Sequence, residues 1–192
     1  MVASVGNAAI TENDVARAYR MECFLNGQWP PPAPDAATLA RVRERLTYQL
    51  MLSREDNPAA GELAESEKAA AERLAALRKE FAHPGDFEAA LRELGMTEGE
   101  VTAHIVQQDR LLRLIDQRLR PMAAPTTQDV ADYYQQVFVP EFQKKSPGAT
   151  APQLSEVESQ IREVLTQKRI NELLDQWIEE LRPTSRVRVH SF

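Results

Sequence analysis

From Leu154 to Arg182 the chain runs without a proline or a glycine, which dictates one helix about 45 Å long at roughly 1.5 Å per residue. A helix that long in so small a protein serves a geometric purpose, and its apolar positions say which. We set Ile161 at zero and advance about 100° per residue. Leu154, Val157, Val164 and Leu165 then fall within roughly 60° of it, whereas Ile170, Leu173, Leu174, Trp177, Ile178 and Leu181 fall on the opposite side. The stripe changes face across Gln167, Lys168 and Arg169, as expected of an element that bridges two helical clusters. A kink would be the alternative, but nothing in this stretch would cause one.

The two ends of the chain read differently from its middle. "VASVGNAAIT" gives two short strands around Gly6-Asn7, a two-residue hairpin loop that tolerates positive φ. At the far end "RVRVH" alternates Val187 and Val189 with Arg186, Arg188 and His190, the period of a half-buried strand. An isolated hairpin is marginal, so the simplest expectation joins both ends in one small sheet.

Between them the sequence predicts helices. Thr11 and Asp14 cap a helix to about Leu25, which the prolines of "NGQWPPPAPD" stop. Asp35 caps a second, with Leu39, Val42, Leu46 and Leu50 on one stripe. A third carries Leu63, Ala70, Leu74, Leu77 and Phe81. Asp86 caps a short fourth that ends at Gly95, and Thr97 with Glu100 forms a capping box for a fifth that lasts until Pro121. "TTQDVADYYQQVF" starts a sixth, and the long helix above is the seventh. The fold class expected is therefore mainly α, about seven helices with a small terminal sheet. The chain reads as one elongated domain over 1–192: a helical module over 1–138, a junction over 139–153, and a closing helix and strand over 154–192.

Composition excludes several functions. No window approaches the roughly 18 apolar residues of a spanning helix, and "MVASVGNAAIT" shows neither the basic nor the apolar segment of a signal peptide. The formal charge is −6 with both signs interleaved, which disfavours nucleic acid. The four arginines of "RLLRLIDQRLR" are interleaved with acids and read as a solvated face. Cys23 is the single cysteine, and His83, His104 and His190 are too scattered for a metal site. Phosphate-loop, nucleophile-elbow and zinc-helix motifs are missing. The sequence thus calls for no catalytic residue, no metal and no cofactor.

Several segments together carry a family resemblance. "VASVGNAAITENDV" resembles the opening of the SurA and PrsA group of extracytoplasmic chaperones, with Gly6-Asn7 where Asn-Gly is usual. "LARVRERLTYQLMLSRE" is similar to that family's second helix, and "FEAALRELGMTEGEVTAHIVQQDRLLRLI" to its short helix, Leu-Gly-Met and long helix. "TTQDVADYY" resembles its Tyr-Tyr helix start, and "LSEVESQIREVLTQKRINELLDQWIEELRPTSRVRV" its closing helix and strand. The resemblance implies a helical chaperone core, periplasmic or otherwise outside the cytoplasm, whose partners are unfolded or nascent exported proteins. Family members commonly carry a parvulin prolyl isomerase domain between the Tyr-Tyr helix and the closing helix. Here that interval holds only "VPEFQKKSPGATAPQL", too short for such a fold.

Three functions follow for test. The first is an ATP-independent holdase whose client contacts would include Trp29, Phe81, Phe87, Met96, Phe138 and Phe142, aromatic or pliant residues near loops and helix ends. The second is a prolyl isomerase by family membership, for which Cys23 and His104 sit on helices away from any sheet. The third is a helical adaptor, a homodimer formed by exchange of the last helix. Trp29 beside its proline run either presents that run to a partner or folds back on the nearest helix.

Overall fold

A three-residue strand cannot hold itself together, and here three of them share one sheet. In the computed structural model, which describes residues 1–58, 60–81 and 83–189, β1 (Ala3–Val5) lies between β2 (Ala8–Ile10) and β3 (Val187–Val189). Both pairings are antiparallel: Ala3 faces Ile10 on one side and Val189 on the other, and Val5 faces Ala8 and Val187. The sheet thus joins the two terminal segments as expected. Ala3 and Val5 are wholly buried, but Val189 is 56 % exposed, so the expected half-burial of the last strand stops at Val187. His190 lies outside the described residues.

The hairpin turn explains its own sequence. Gly6 takes φ 55° while Asn7 does not enter positive φ, the sign pattern of a type II′ turn, which wants glycine first. A type I′ turn would have wanted Asn-Gly. Arg54 donates a hydrogen bond to the Val5 carbonyl and lays its guanidinium where a Cβ on Gly6 would stand, 2.7–2.8 Å away. The Gly6 N–H in turn donates to the Ser185 carbonyl at 2.9 Å.

The helices are α1 (Glu12–Leu25), α2 (Ala36–Leu52), α3 (Ala60–Arg78), α4 (Pro84–Leu94), α5 (Glu98–Leu119), α6 (Thr127–Tyr133), α7 (Val139–Lys145) and α8 (Leu154–Ser185). A π turn over Tyr134–Phe138 makes α6 and α7 one continuous rod, so the described residues form seven rods. Thr11 with Asp14, Thr97 with Glu100 and Thr126 with Asp129 cap their helices reciprocally, and Asp35 accepts from the Thr38 N–H at 2.7 Å. At α4 the cap is His83 rather than Asp86. With Pro84 at the first helical position, Asp86 becomes the third residue and its carboxylate reaches back to the His83 N–H at 3.2 Å.

The expected junction over 139–153 also needs correction, because its first half is helical. Pro140 sits in the first turn of α7, so the continuous rod runs past a residue with no N–H to donate. The π turn before it resets the hydrogen-bond register, so the rod passes the proline unbroken. What remains of the junction is the loop over 146–153. At the far end α8 continues through Pro183 to Ser185, and Arg186 stops it at φ 49°, the one positive φ among described non-glycine residues.

Two compact units result. Unit 1 comprises Met1–Leu114 and Ile178–Phe192; unit 2 comprises Ile115–Trp177. In unit 1 one core gathers Met21, Phe24, Leu74, Leu77, Phe87, Leu91, Met96 and Ile105, and a second gathers Val2, Ile10, Val15, Tyr19, Cys23 and Val42. Unit 2 is organised around Val130, Val157 and Ile161, with Tyr133, Tyr134, Phe138, Leu154 and Leu165 packed on them. The change of face on α8 is real but starts earlier than Gln167. Thr166 is already buried, while Val164, expected inside, is 49 % exposed.

Gly6→Ala forces a Cβ into left-handed backbone and onto the Arg54 guanidinium. We expect it to lower unfolding free energy in urea by about 1–2 kcal/mol, with no change in helical circular dichroism below the transition.

Candidate functional site

Unit 1 holds an open groove of about 500 Å³ between β2, α1, α2 and α5. Its floor is apolar: Ile10 ends β2, Ala18 and Met21 come from α1, and Leu46 and Leu50 from α2. Ala9 and Ala103 form two exposed walls. These residues converge because α2 packs against both β1 and β2, while the Arg17–Glu100 ion pair ties α1 to α5 across the rim. The size is that of a site holding a drug-sized molecule or a few peptide side chains.

The rim is polar, and three of its titratable groups are shifted by their surroundings. Asp14 is held below its ordinary 3.8 chiefly by the Thr11 hydroxyl, and Glu100 below 4.5 by the Thr97 N–H and hydroxyl. His104 is pushed below its ordinary 6.5, first by burial and then by Arg45 and Arg73, with Glu22 opposing. Glu22 is itself clasped by Arg45 through two bonds of 2.6 Å. His104 is therefore neutral at pH 7 and adds a hydrogen-bonding group, not a charge, to the groove wall.

A second cavity of about 460 Å³ lies beside Trp29 and Phe81, with Ala89 and Ala90 below and Glu80, Asp86 and Glu93 around it. Phe24, Phe81 and Phe87 form a triangle of rings with centroids 5.5–5.9 Å apart, the Phe81–Phe87 pair edge to face. Arg78 sits 4.8 Å over the Phe87 ring. Trp29 packs against this core, and Tyr19 pins the proline run through a 2.9 Å bond from its hydroxyl to the Pro32 carbonyl. The tryptophan thus folds back onto unit 1.

The six residues expected to contact clients therefore divide. Trp29 and Phe81 are half-buried and line the second cavity; Phe87 and Met96 are 1 % and 5 % exposed, inside the core beneath, and present no surface. Phe138 and Phe142 belong to unit 2, where Tyr134, Phe138 and Phe142 stack one helical turn apart at 5.7 and 6.2 Å. The Tyr134 hydroxyl donates to the Pro152 carbonyl at 2.8 Å. Sequence reading missed the groove beside β2, because Leu46 and Leu50 read as core stripe, and an exposed alanine such as Ala103 leaves no periodic signal.

The remaining polar candidates have structural partners. Cys23 is buried and free, and its contact with Tyr19 helps push that phenol up to about 12. Arg110 pairs with Asp56, Arg113 with Asp109 and Glu65, and Arg120 with Asp116 and Glu163, while Arg118 covers the Trp177 ring at 4.3 Å. Among the described residues no three His, Cys, Asp or Glu side chains are grouped to hold a metal ion, and no helix is long and apolar enough to cross a membrane. Comparison with protein-family models, with curated proteins and with solved structures finds no match.

The depressed His104 fixes a sign. The unfolded chain takes up a proton near 6.5 while the folded one resists it, so stability is full above that pH and declines below it. His104→Gln cannot protonate and should flatten the fall in urea midpoint between about pH 6.5 and 5. The capping carboxylates act lower: their contribution persists above about pH 4.5 and fades as pH drops through their depressed values.

Proposed function

We propose that the protein is an ATP-independent chaperone that shelters unfolded or partly folded chains, by reversible binding without catalysis, outside the cytoplasm. The observation that carries this reading is the open groove of unit 1, an apolar floor of Ile10, Ala18, Met21, Leu46 and Leu50 inside a polar rim. Such a floor rewards any apolar side chain that reaches it, at about 25 cal/mol per Å², and its even lining offers little to select one ligand from another. The ring ladder of Tyr134, Phe138 and Phe142 gives unit 2 a half-exposed aromatic surface of the same tolerant kind. The resemblance to the SurA and PrsA group supports both the role and the extracytoplasmic setting. The loop over 146–153, far too short for an isomerase domain, supports binding over prolyl isomerisation.

At equimolar ratio the protein should delay aggregation of a chemically denatured client followed by light scattering. Ala103→Glu places a charge in the groove at an exposed helical position. It should remove at least about half of that delay while moving the thermal midpoint by no more than about 2 °C. A wild-type protein that gives no delay ends the reading.

A further inference from the structure

We propose that the groove takes its ligand as an added β-strand: an extended segment of unfolded polypeptide pairs with Ala9 on the outer edge of β2. The inference rests on the chaperone reading of this groove and specifies what it recognises.

Val5 and Ala8 flank the two-residue turn, and the flanking pair of such a hairpin exchanges both hydrogen bonds. The next pair, Ser4 and Ala9, therefore does not, and the Ala9 N–H and C=O point away from β1. Neither group has a partner among the described residues. Two residues on, Thr11 has spent its N–H on the Asp14 carboxylate and its C=O on the Val15 N–H. Ala9 thus offers one donor and one acceptor, spaced for a single residue of extended backbone, on the wall of the groove.

The opposite edge shows the contrast. There β3 carries Arg188 between its valines, following Arg186, the charged guard that keeps edges from pairing. The β2 edge has Ala8, Ala9 and Ile10 and no guard. A residue paired with Ala9 would place its own side chain on the exposed face. Its two neighbours would point to the face of Ile10, which packs with Leu46 and Leu50. The ligand is therefore a short extended segment with apolar residues either side of one polar residue. The rim, with Asp14, the paired Arg17 and Glu100, and neutral His104, favours flanking lysines over acids.

The probe is a capped heptapeptide, lysine, threonine, valine, threonine, valine, threonine, lysine, titrated against the full chain. N-methylation of the central threonine removes the N–H aimed at the Ala9 carbonyl and should weaken binding at least about fivefold. N-methylation of either valine, whose N–H points outward, should change it by less than about twofold. Binding should also slow hydrogen exchange at the Ala9 amide. Ala9→Pro deletes that N–H without touching a β1 hydrogen bond and should weaken the parent peptide about fivefold. If the peptide does not bind, or all three methylated forms bind like the parent, strand addition is wrong even where aggregation is delayed. If the methylation pattern appears in a protein that delays no aggregation, the strand site stands and the chaperone reading falls.

Discussion

The 2.9 Å hydrogen bond from the Gly6 N–H to the Ser185 carbonyl sits where the hairpin turn meets the end of α8, and unit 1 depends on that meeting. Bringing Val187 beside Val5 closes a loop of about 180 residues, at an entropic cost of about 4–5 kcal/mol. Two ladders on β1, a buried central strand and the Arg54 guanidinium over the turn offset that cost locally. Tyr48 adds to it, accepting from Arg182 at 3.0 Å and lying under its guanidinium. The helices of unit 1 are held between segments that would otherwise fray.

Charge in this protein works mainly at short range. Helix starts take threonine with a carboxylate three residues on, and arginines along α5 and α8 are matched by acids or rings. Exposed pairs of this kind contribute little to stability, because solvent screens them. Their larger effect is on what the surface can attract, since paired arginines present no free positive field for phosphates. The groove in unit 1 stands out against this background because its floor has no charge to satisfy.

Much of the fold was legible because it depends on local chemistry. Thr11, Asp35 and Thr97 announced helix starts, the valines near both ends announced a shared sheet, and the angular plot of α8 announced a change of face. The errors arose where a neighbour overrode the local rule. His83 took the cap from Asp86 because Pro84 fixed the first helical position. The helix passed Pro140 because a π turn preceded it, and Val164 lies outside while Thr166, off the apolar stripe, is buried. The groove escaped notice for another reason. It is made of residues from four elements, and only packing of α2 on the sheet and of α1 toward α5 brings Ile10, Leu46 and Ala103 to one place. Of the aromatic and pliant residues picked by position, Trp29 and Phe81 line a cavity, but Phe87 and Met96 serve the core.

The loop between α7 and α8 is anchored by side chains at one end only, its start being held by backbone bonds from the Ser146 N–H to the Phe142 carbonyl and from the Ala149 N–H to the Ser146 carbonyl. Tyr134 clamps the Pro152 carbonyl and the Gln153 N–H donates to Glu156, while Ser146 to Thr150 carry no side-chain hydrogen bonds and Gly148 takes φ 85°. Doubling a flexible loop costs only about 0.6 kcal/mol. Ahead of that clamp, therefore, this scaffold is permissive to inserted sequence: a guest segment spliced near Gly148 would leave both flanking rods, and the ring ladder on the first of them, in their present register.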